Sequence, residues 1–243
     1  MMTQDTLDKL NSLKLFGMAA ELERQFANPT INELAFEHRI RVLVDQETTF
    51  RENKRLQTLL KNAKLPVSAS IEEIDYREPR GLDKSLLLSL TTLDWIAQQT
   101  NLVVTGPTGT GKTWLACALA NQACRKGLTT FFVRTPLLLD DLLGAHATGN
   151  FRKRLEQLLK FDLLIIDDWA IEPFTKRAQS DLLELIGGRI GSRSTIITSQ
   201  MPMERWHDAI DNKAIADAIL DRVVHSSYAI KLTGKSMRAP KKR

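Results

Sequence analysis

The chain has 243 residues, 43% of them hydrophobic and 26% charged, with a formal net charge of +5. That is room for one α/β domain with a smaller appendage, in a composition typical of folded chains. No apolar run approaches the roughly 18 residues of a membrane span. The acid-containing start lacks the apolar core of a signal peptide. The reading is a cytoplasmic protein with no membrane partner.

Residues 1–65 read as helix. Leu7, Leu10, Leu15, Met18, Leu22 and Phe26 recur at helical spacing up to a break near Asn28-Pro29. A second helix is predicted to open with a capping box, Thr30 to Glu33, and to run through Ile40, Leu43, Val44 and Phe50 to Leu60. So few helices bury little surface unaided, so 1–65 is read as a helical partner-docking domain. Pro66–Ser70 reads as a linker, and 66–243 as the larger domain. Its apolar runs Leu102–Val104, Thr130–Val133, Leu163–Ile166, Ser194–Thr198 and Tyr228–Leu232 alternate with helical patterns. That rhythm predicts a parallel sheet with helices on both faces.

Charge divides along the chain. Residues 1–75 hold 10 Lys and Arg against 12 Asp and Glu, whereas 76–243 hold 24 against 17. A basic excess confined to the larger domain suggests a polyanion partner. Cys117 and Cys124, seven apart on one predicted helix, lie about 10 Å from each other and cannot bridge. Four histidines show no ligand spacing, and Trp95, Trp114, Trp169 and Trp206 read as packing residues.

The segment with chemistry is Gly106-Pro107-Thr108-Gly109-Thr110-Gly111-Lys112-Thr113, a full G-x-x-x-x-G-K-[ST] placed between a strand and a helix. Its glycines let successive N–H groups turn inward on phosphates. Lys112 is placed to reach the β/γ-phosphates and the Thr113 hydroxyl to ligate Mg²⁺. The helix from Trp114 to Arg125 aims its positive end at the same anion. A nucleoside triphosphate with Mg²⁺ is the cofactor so indicated.

Phe161–Asp168 is an apolar strand ending in two acids, on the sheet edge that carries the loop. Asp167 can hold Mg²⁺, and Asp168 can orient an attacking water. A later strand ends Thr198-Ser199-Gln200, which puts Gln200 or Thr198 between the γ-phosphate and the acid. Asp217–Arg222 closes a helix on Arg222, and Gly234-Lys235-Ser236-Met237-Arg238 follows the last strand.

Loop, paired acids, Thr-Ser-Gln, Leu220-x-Arg222 and Gly234-x-Ser236-x-Arg238 in this order resemble an AAA+ ATPase of the initiator and helicase-loader branch. Within it the chain resembles the IstB family, ATP-binding helpers of bacterial transposition. Three further stretches carry that likeness to the N-terminal part: Leu13–Ala19, Leu34–Arg39 and Ile71–Tyr76. The resemblance implies a P-loop NTPase core, a three-layer αβα sandwich on a parallel sheet, behind the small all-helical domain. It implies a slow ATPase that forms an ATP-dependent homo-oligomer on duplex DNA and presents that DNA to a transposase.

Residue by residue, Gly106–Thr113 would be Walker A, Asp167 the Mg²⁺-side acid and Asp168 the catalytic acid, where Glu is commoner. Gln200 would stand at sensor 1, with Thr198 and Ser199 as alternatives. Arg222 would be the arginine finger acting in trans, and Arg238 would be sensor 2. Members of the branch carry a further helix along a DNA path; Pro136–Ala147 matches it, followed by Arg152, Lys153 and Arg154. The nearest alternative is a DnaC-type helicase loader, and a remoter one a small-molecule P-loop kinase.

Overall fold

The computed structural model describes residues 2–224 and 227–237. The expectation for Arg238 falls outside them. By contacts the chain forms two compact units, Met1–Thr58 and Leu59–Arg243.

The first unit is helical: α1 Met2–Ser12, α2 Phe16–Ala27, a 3₁₀ turn at Pro29–Glu33, and α3 Phe36–Ala63, which ends in the second unit. Two sequence expectations change here. The helix predicted through Leu7 to Phe26 is cut at Leu13–Leu15. Leu15 N donates to Leu10 O (2.8 Å) and Lys14 N to Asn11 O (2.9 Å). That pairing is a Schellman stop, with Lys14 rather than glycine in the left-handed position (φ 60°). Nor does Thr30 open a capping box. Asn28 takes the cap, its side chain accepting from Thr30 N (3.2 Å) and Thr30 Oγ1 (2.7 Å). Asn followed by Pro at the first helical position is the stronger start signal.

Helices α2 and α3 meet tightly at Gly17, where a Cβ would stand 2.6 Å from Gln46 O. Glu47, buried in that contact, accepts from Gly17 N (2.8 Å) and Met18 N (3.2 Å) and so caps α2. Phe26, Leu34, Phe36, Ile40, Val44 and Phe50 stay exposed.

In the second unit, a 3₁₀ turn at Ile71–Glu73, α4 Lys84–Thr91 and α5 Asp94–Ala97 precede the sheet. Ala69, inside the expected linker, is buried, and its carbonyl accepts from Asn121 Nδ2 (3.0 Å). The strands are β1 Asn101–Thr105, β2 Thr130–Arg134, β3 Leu163–Trp169, β4 Ser194–Ser199 and β5 Ser227–Lys231. Between them run α6 Lys112–Arg125, α7 Thr135–Ala147, α8 Phe151–Lys160, α9 Lys176–Arg189 and α10 Lys213–Val224. All pairings are parallel, in the order β2-β3-β4-β1-β5.

Alternation splits the core in two. Val103, Leu164, Ile166 and Ile197 face the α7–α10 layer. Leu102, Val104, Leu163, Ile165 and Ile196 face the α4–α6 layer. Sandwiching on both sides explains why these strands read as unbroken apolar runs. The P-loop core and its three layers are therefore as the sequence indicates. All four tryptophans pack in these layers. Cys117 and Cys124 are free and buried, and burial pushes the Cys117 thiol up to about 12.

Arg189 is an internal strut. Burial lowers it to about 9, and its guanidinium donates to Thr195 Oγ1, Leu158 O, Phe161 O and Ser194 O. Arg189→Ala is expected to cost about 3 kcal/mol, because four acceptors lose their donor. Urea unfolding followed by tryptophan fluorescence measures this. A loss below about 1 kcal/mol would mean that water takes over the donors' place.

Candidate nucleotide-binding site

Strand β1 delivers the chain to Gly106, whose N–H donates to Ser199 O of β4 (3.1 Å). The loop then folds on itself: Pro107 O accepts from Thr110 Oγ1 (2.9 Å) and Lys112 Nζ (2.9 Å). Lys112 Nζ also donates to Gly106 O (2.7 Å). Gly106, Gly109 and Gly111 hold φ of 149°, 85° and 96°, a region L side chains avoid. A Cβ would stand 2.3 Å from Leu232 O at Gly106 and 2.1 Å from Ser236 Oγ at Gly109. Thus the glycines are required for conformation and for space. Helix α6 starts at Lys112, so the unpaired N–H groups of its first turn adjoin the loop. This cradle suits a phosphate chain.

The acids do not simply end a strand. β3 continues through Asp167 and Asp168 to Trp169, with an irregular register between Ile166 and Trp169. Asp167 is buried and is the meeting point of three elements. Thr113 Oγ1 of α6 donates to its Oδ1 (2.9 Å) and Oδ2 (3.1 Å), and Thr198 Oγ1 of β4 to its Oδ1 (2.5 Å). Burial pushes its carboxyl up, the Asp168 charge adds to this, and the Thr198 and Thr113 hydrogen bonds oppose it. A hydroxyl beside a carboxylate is the hard-oxygen donor set that Mg²⁺ takes.

Asp168 lies in the left-handed region, φ 58°. Its N–H donates to Thr198 Oγ1 (3.3 Å), and its Oδ2 is 3.9 Å from Arg134 Nε at the end of β2. Asp tolerates this backbone better than most residues, which gives a local reason for Asp at this position. Strain of this kind gathers at functional sites.

Of the three residues left open at the end of β4, Ser199 is drawn off: its Oγ donates to Trp169 O (2.8 Å). Thr198 sits on Asp167. Gln200 reaches the loop, its Oε1 accepting from Thr108 Oγ1 (2.6 Å). The structure therefore brings together Gly106–Thr113, Asp167, Asp168 and Gln200. Arg222 is exposed on α10, with Nη1 donating to Ala218 O (2.9 Å) and Nε beside Gly187 of α9.

The three basic residues of α8 differ from one another. Arg152 and Lys153 are exposed. Arg154 is engaged: it pairs with Asp141 of α7 (2.5 Å), donates to Gln157 Oε1 (3.0 Å) and lies over the Phe131 ring. Its first task is to tie α8 to α7.

Two residues escaped the sequence reading. Arg134 had no signal beyond its place at a strand end. Arg80 is buried against the loop, with Nη1 donating to Thr110 O (3.4 Å). Segment 233–237 also closes on it, since Met237 N donates to Gly109 O (2.9 Å) and Thr233 N to Arg80 O (2.8 Å). Among the described residues no group of three or more His, Cys, Asp and Glu could hold a metal by itself. No helix there is long and apolar enough to cross a membrane.

Comparison with known proteins agrees with this geometry. A Pseudomonas fluorescens protein named for ATP binding in insertion sequence IS1162 is 50% identical over 203 residues, covering 83% of this chain and 88% of that one. A similarly named protein of Sinorhizobium fredii, y4pL, is 42% identical across 100% of this chain and 99% of its own. The crystal structure of DnaI superposes with a TM-score of 0.60 at 20% identity, over 73% of this chain and 94% of that chain. That likeness establishes the P-loop AAA+ fold alone. The IstB-like ATP binding protein family matches residues 8–243. The chain belongs to that family.

Proposed function

We propose that this protein is an ATPase that assembles on duplex DNA as an ATP-dependent homo-oligomer and assists a transposase. The observation that carries the reading is the convergence of Thr113, Thr198 and Asp167 beneath a glycine-built loop, with Asp168 beside them. Lys112 and the loop amides bind the phosphates, and Thr113 with Asp167 hold Mg²⁺ there. The nucleotide supplies a phosphoanhydride bond for hydrolysis. Asp168 orients the attacking water, and Gln200, anchored on Thr108, fixes the γ-phosphate side. Arg222, exposed on α10, serves the site of a neighbouring copy, and Arg238 the site of its own chain.

The DNA part of the reading rests on charge. Residues 76–243 carry 24 basic against 17 acidic side chains, and Arg152 and Lys153 are exposed on α8. No zinc finger or recognition helix is evident in the sequence, so contacts go to the backbone and sequence preference is broad. Insertion-sequence relatives make a transposase the fitting partner, and the helical residues 1–65 its docking module. The test is duplex binding with ATP, by anisotropy across a salt series. Affinity should fall with a slope of about −0.9 per phosphate neutralised, and Arg152→Ala with Lys153→Ala should flatten it by about 2. Salt-independent binding, or one strongly preferred sequence, would overturn the DNA assignment. Recovery of a replicative helicase instead of transposase in a pull-down would overturn the partner.

A further inference from the structure

Arg80 is a buried cation that makes no ion pair among the described residues. It is 6% exposed, and its Nε is enclosed without a partner among the described residues. Its other donors make only long contacts, all to uncharged acceptors: Nη1 to Thr110 O (3.4 Å) and Met237 Sδ (3.4 Å), and Nη2 to Asp75 O (3.4 Å). The Asp75 carboxylate itself binds Arg77 through both oxygens, at 3.1 and 3.3 Å. Burial lowers the Arg80 pKa, and the charges of Asp75 and Glu78 counter this only in part. Arg189 shows what a structural arginine looks like in this fold, with four hydrogen bonds of 3.0 Å or less. Arg80 has nothing comparable.

Its position says what is missing. A Cβ on Gly111 would stand 2.7 Å from Arg80 Nη1, so the guanidinium lies directly on the phosphate loop where α6 begins. A charge that is desolvated and poorly bonded is costly by itself. Beside a loop made for anions, a phosphate oxygen would offset that cost, since charge-assisted bonds to the fork of an arginine are strong.

We propose that Arg80 is a nucleotide-binding residue, a second cation beside Lys112 that donates to the α- and β-phosphates held at the start of α6. This rests on the nucleotide-site reading above. Arg80 also joins the segment before the sheet to the one after it, because Thr233 N donates to Arg80 O (2.8 Å) and Met237 touches Nη1. Bound phosphate therefore adds a further tie between the loop and residues 75–80 and 233–237, which already lie on it.

The experiment compares the full chain with Arg80→Gln and Arg80→Lys by thermal unfolding with and without ADP or ATP, and by calorimetric titration. Arg80→Gln is expected to weaken both nucleotides alike by about ten- to a hundredfold, the weight of hydrogen bonds to a charged group. Without nucleotide its melting temperature should hold or rise, since a poorly paired buried charge is gone. Arg80→Lys, which keeps the charge and loses the fork, should fall between. A structural role gives the opposite pattern: lower melting without nucleotide in both variants and undiminished affinity for ADP and ATP. That pattern would overturn the proposal. If Arg80→Gln does not fold, Arg80→Lys decides alone, and unchanged nucleotide affinity in it overturns the proposal too. Failure of the unsubstituted chain to bind either nucleotide would instead strike the site reading itself.

Discussion

Lys112→Ala is expected to abolish ATP binding at ordinary concentrations, and ATP-dependent assembly and DNA binding with it. Its ammonium lies over Gly106 O and Pro107 O (2.7 and 2.9 Å), at the mouth of a loop otherwise built from backbone dipoles. Losing a charge-assisted contact of about 3 kcal/mol corresponds to about a hundredfold in affinity. Fold stability should change little. Besides the two Lys112 Nζ bonds, the loop conformation is held by three glycines, by Gly106 N to Ser199 O and by Thr110 Oγ1 to Pro107 O. Calorimetry with ATP is the measurement, and an unchanged dissociation constant would sink the assignment of Lys112.

Arg222→Ala should lower turnover by about 10³–10⁵, the range for arginine fingers acting in trans, and leave ATP binding intact. Asp168→Asn should also stop turnover while ATP and DNA stay bound, because it removes the water-orienting carboxylate and spares the cradle. The decisive step is mixing the two inactive variants. An interface with Asp168 from one chain and Arg222 from the other is complete, so partial activity should return. No rescue at any ratio would show that Arg222 does not work between copies.

Legibility in the sequence followed the range of the interaction. The inner strands were visible because a strand covered on both faces must be apolar at successive positions, Leu163–Ile166 being the clearest case, whereas the edge strand β5 is largely exposed and showed only in Tyr228–Leu232. Breaks in the first unit were less visible. Lys14 stops α1 in a conformation usually signalled by glycine, and the Asn28-Pro29 start outcompetes the Thr30–Glu33 pattern that resembles a capping box. The irregularity of β3 at Asp168 had no signal either, for two acids after an apolar run look alike until one is turned inward. Arg152, Lys153 and Arg154 likewise read as one basic cluster, and only the packing of α8 on α7 gives Arg154 to Asp141.

The phosphate cradle was decided by the sequence alone. Glycine spacing sets which backbone shapes eight consecutive residues can adopt, and the donors offered to a phosphate chain are that segment's own amides. Charge and burial were decided by the tertiary structure. Asp167 became the enclosed acid through hydroxyls 54 and 31 residues away in the chain, and Arg80 was carried onto Thr110, 30 residues distant. Desolvation depends on what surrounds a group in space, so no local pattern distinguishes a buried arginine from a solvated one.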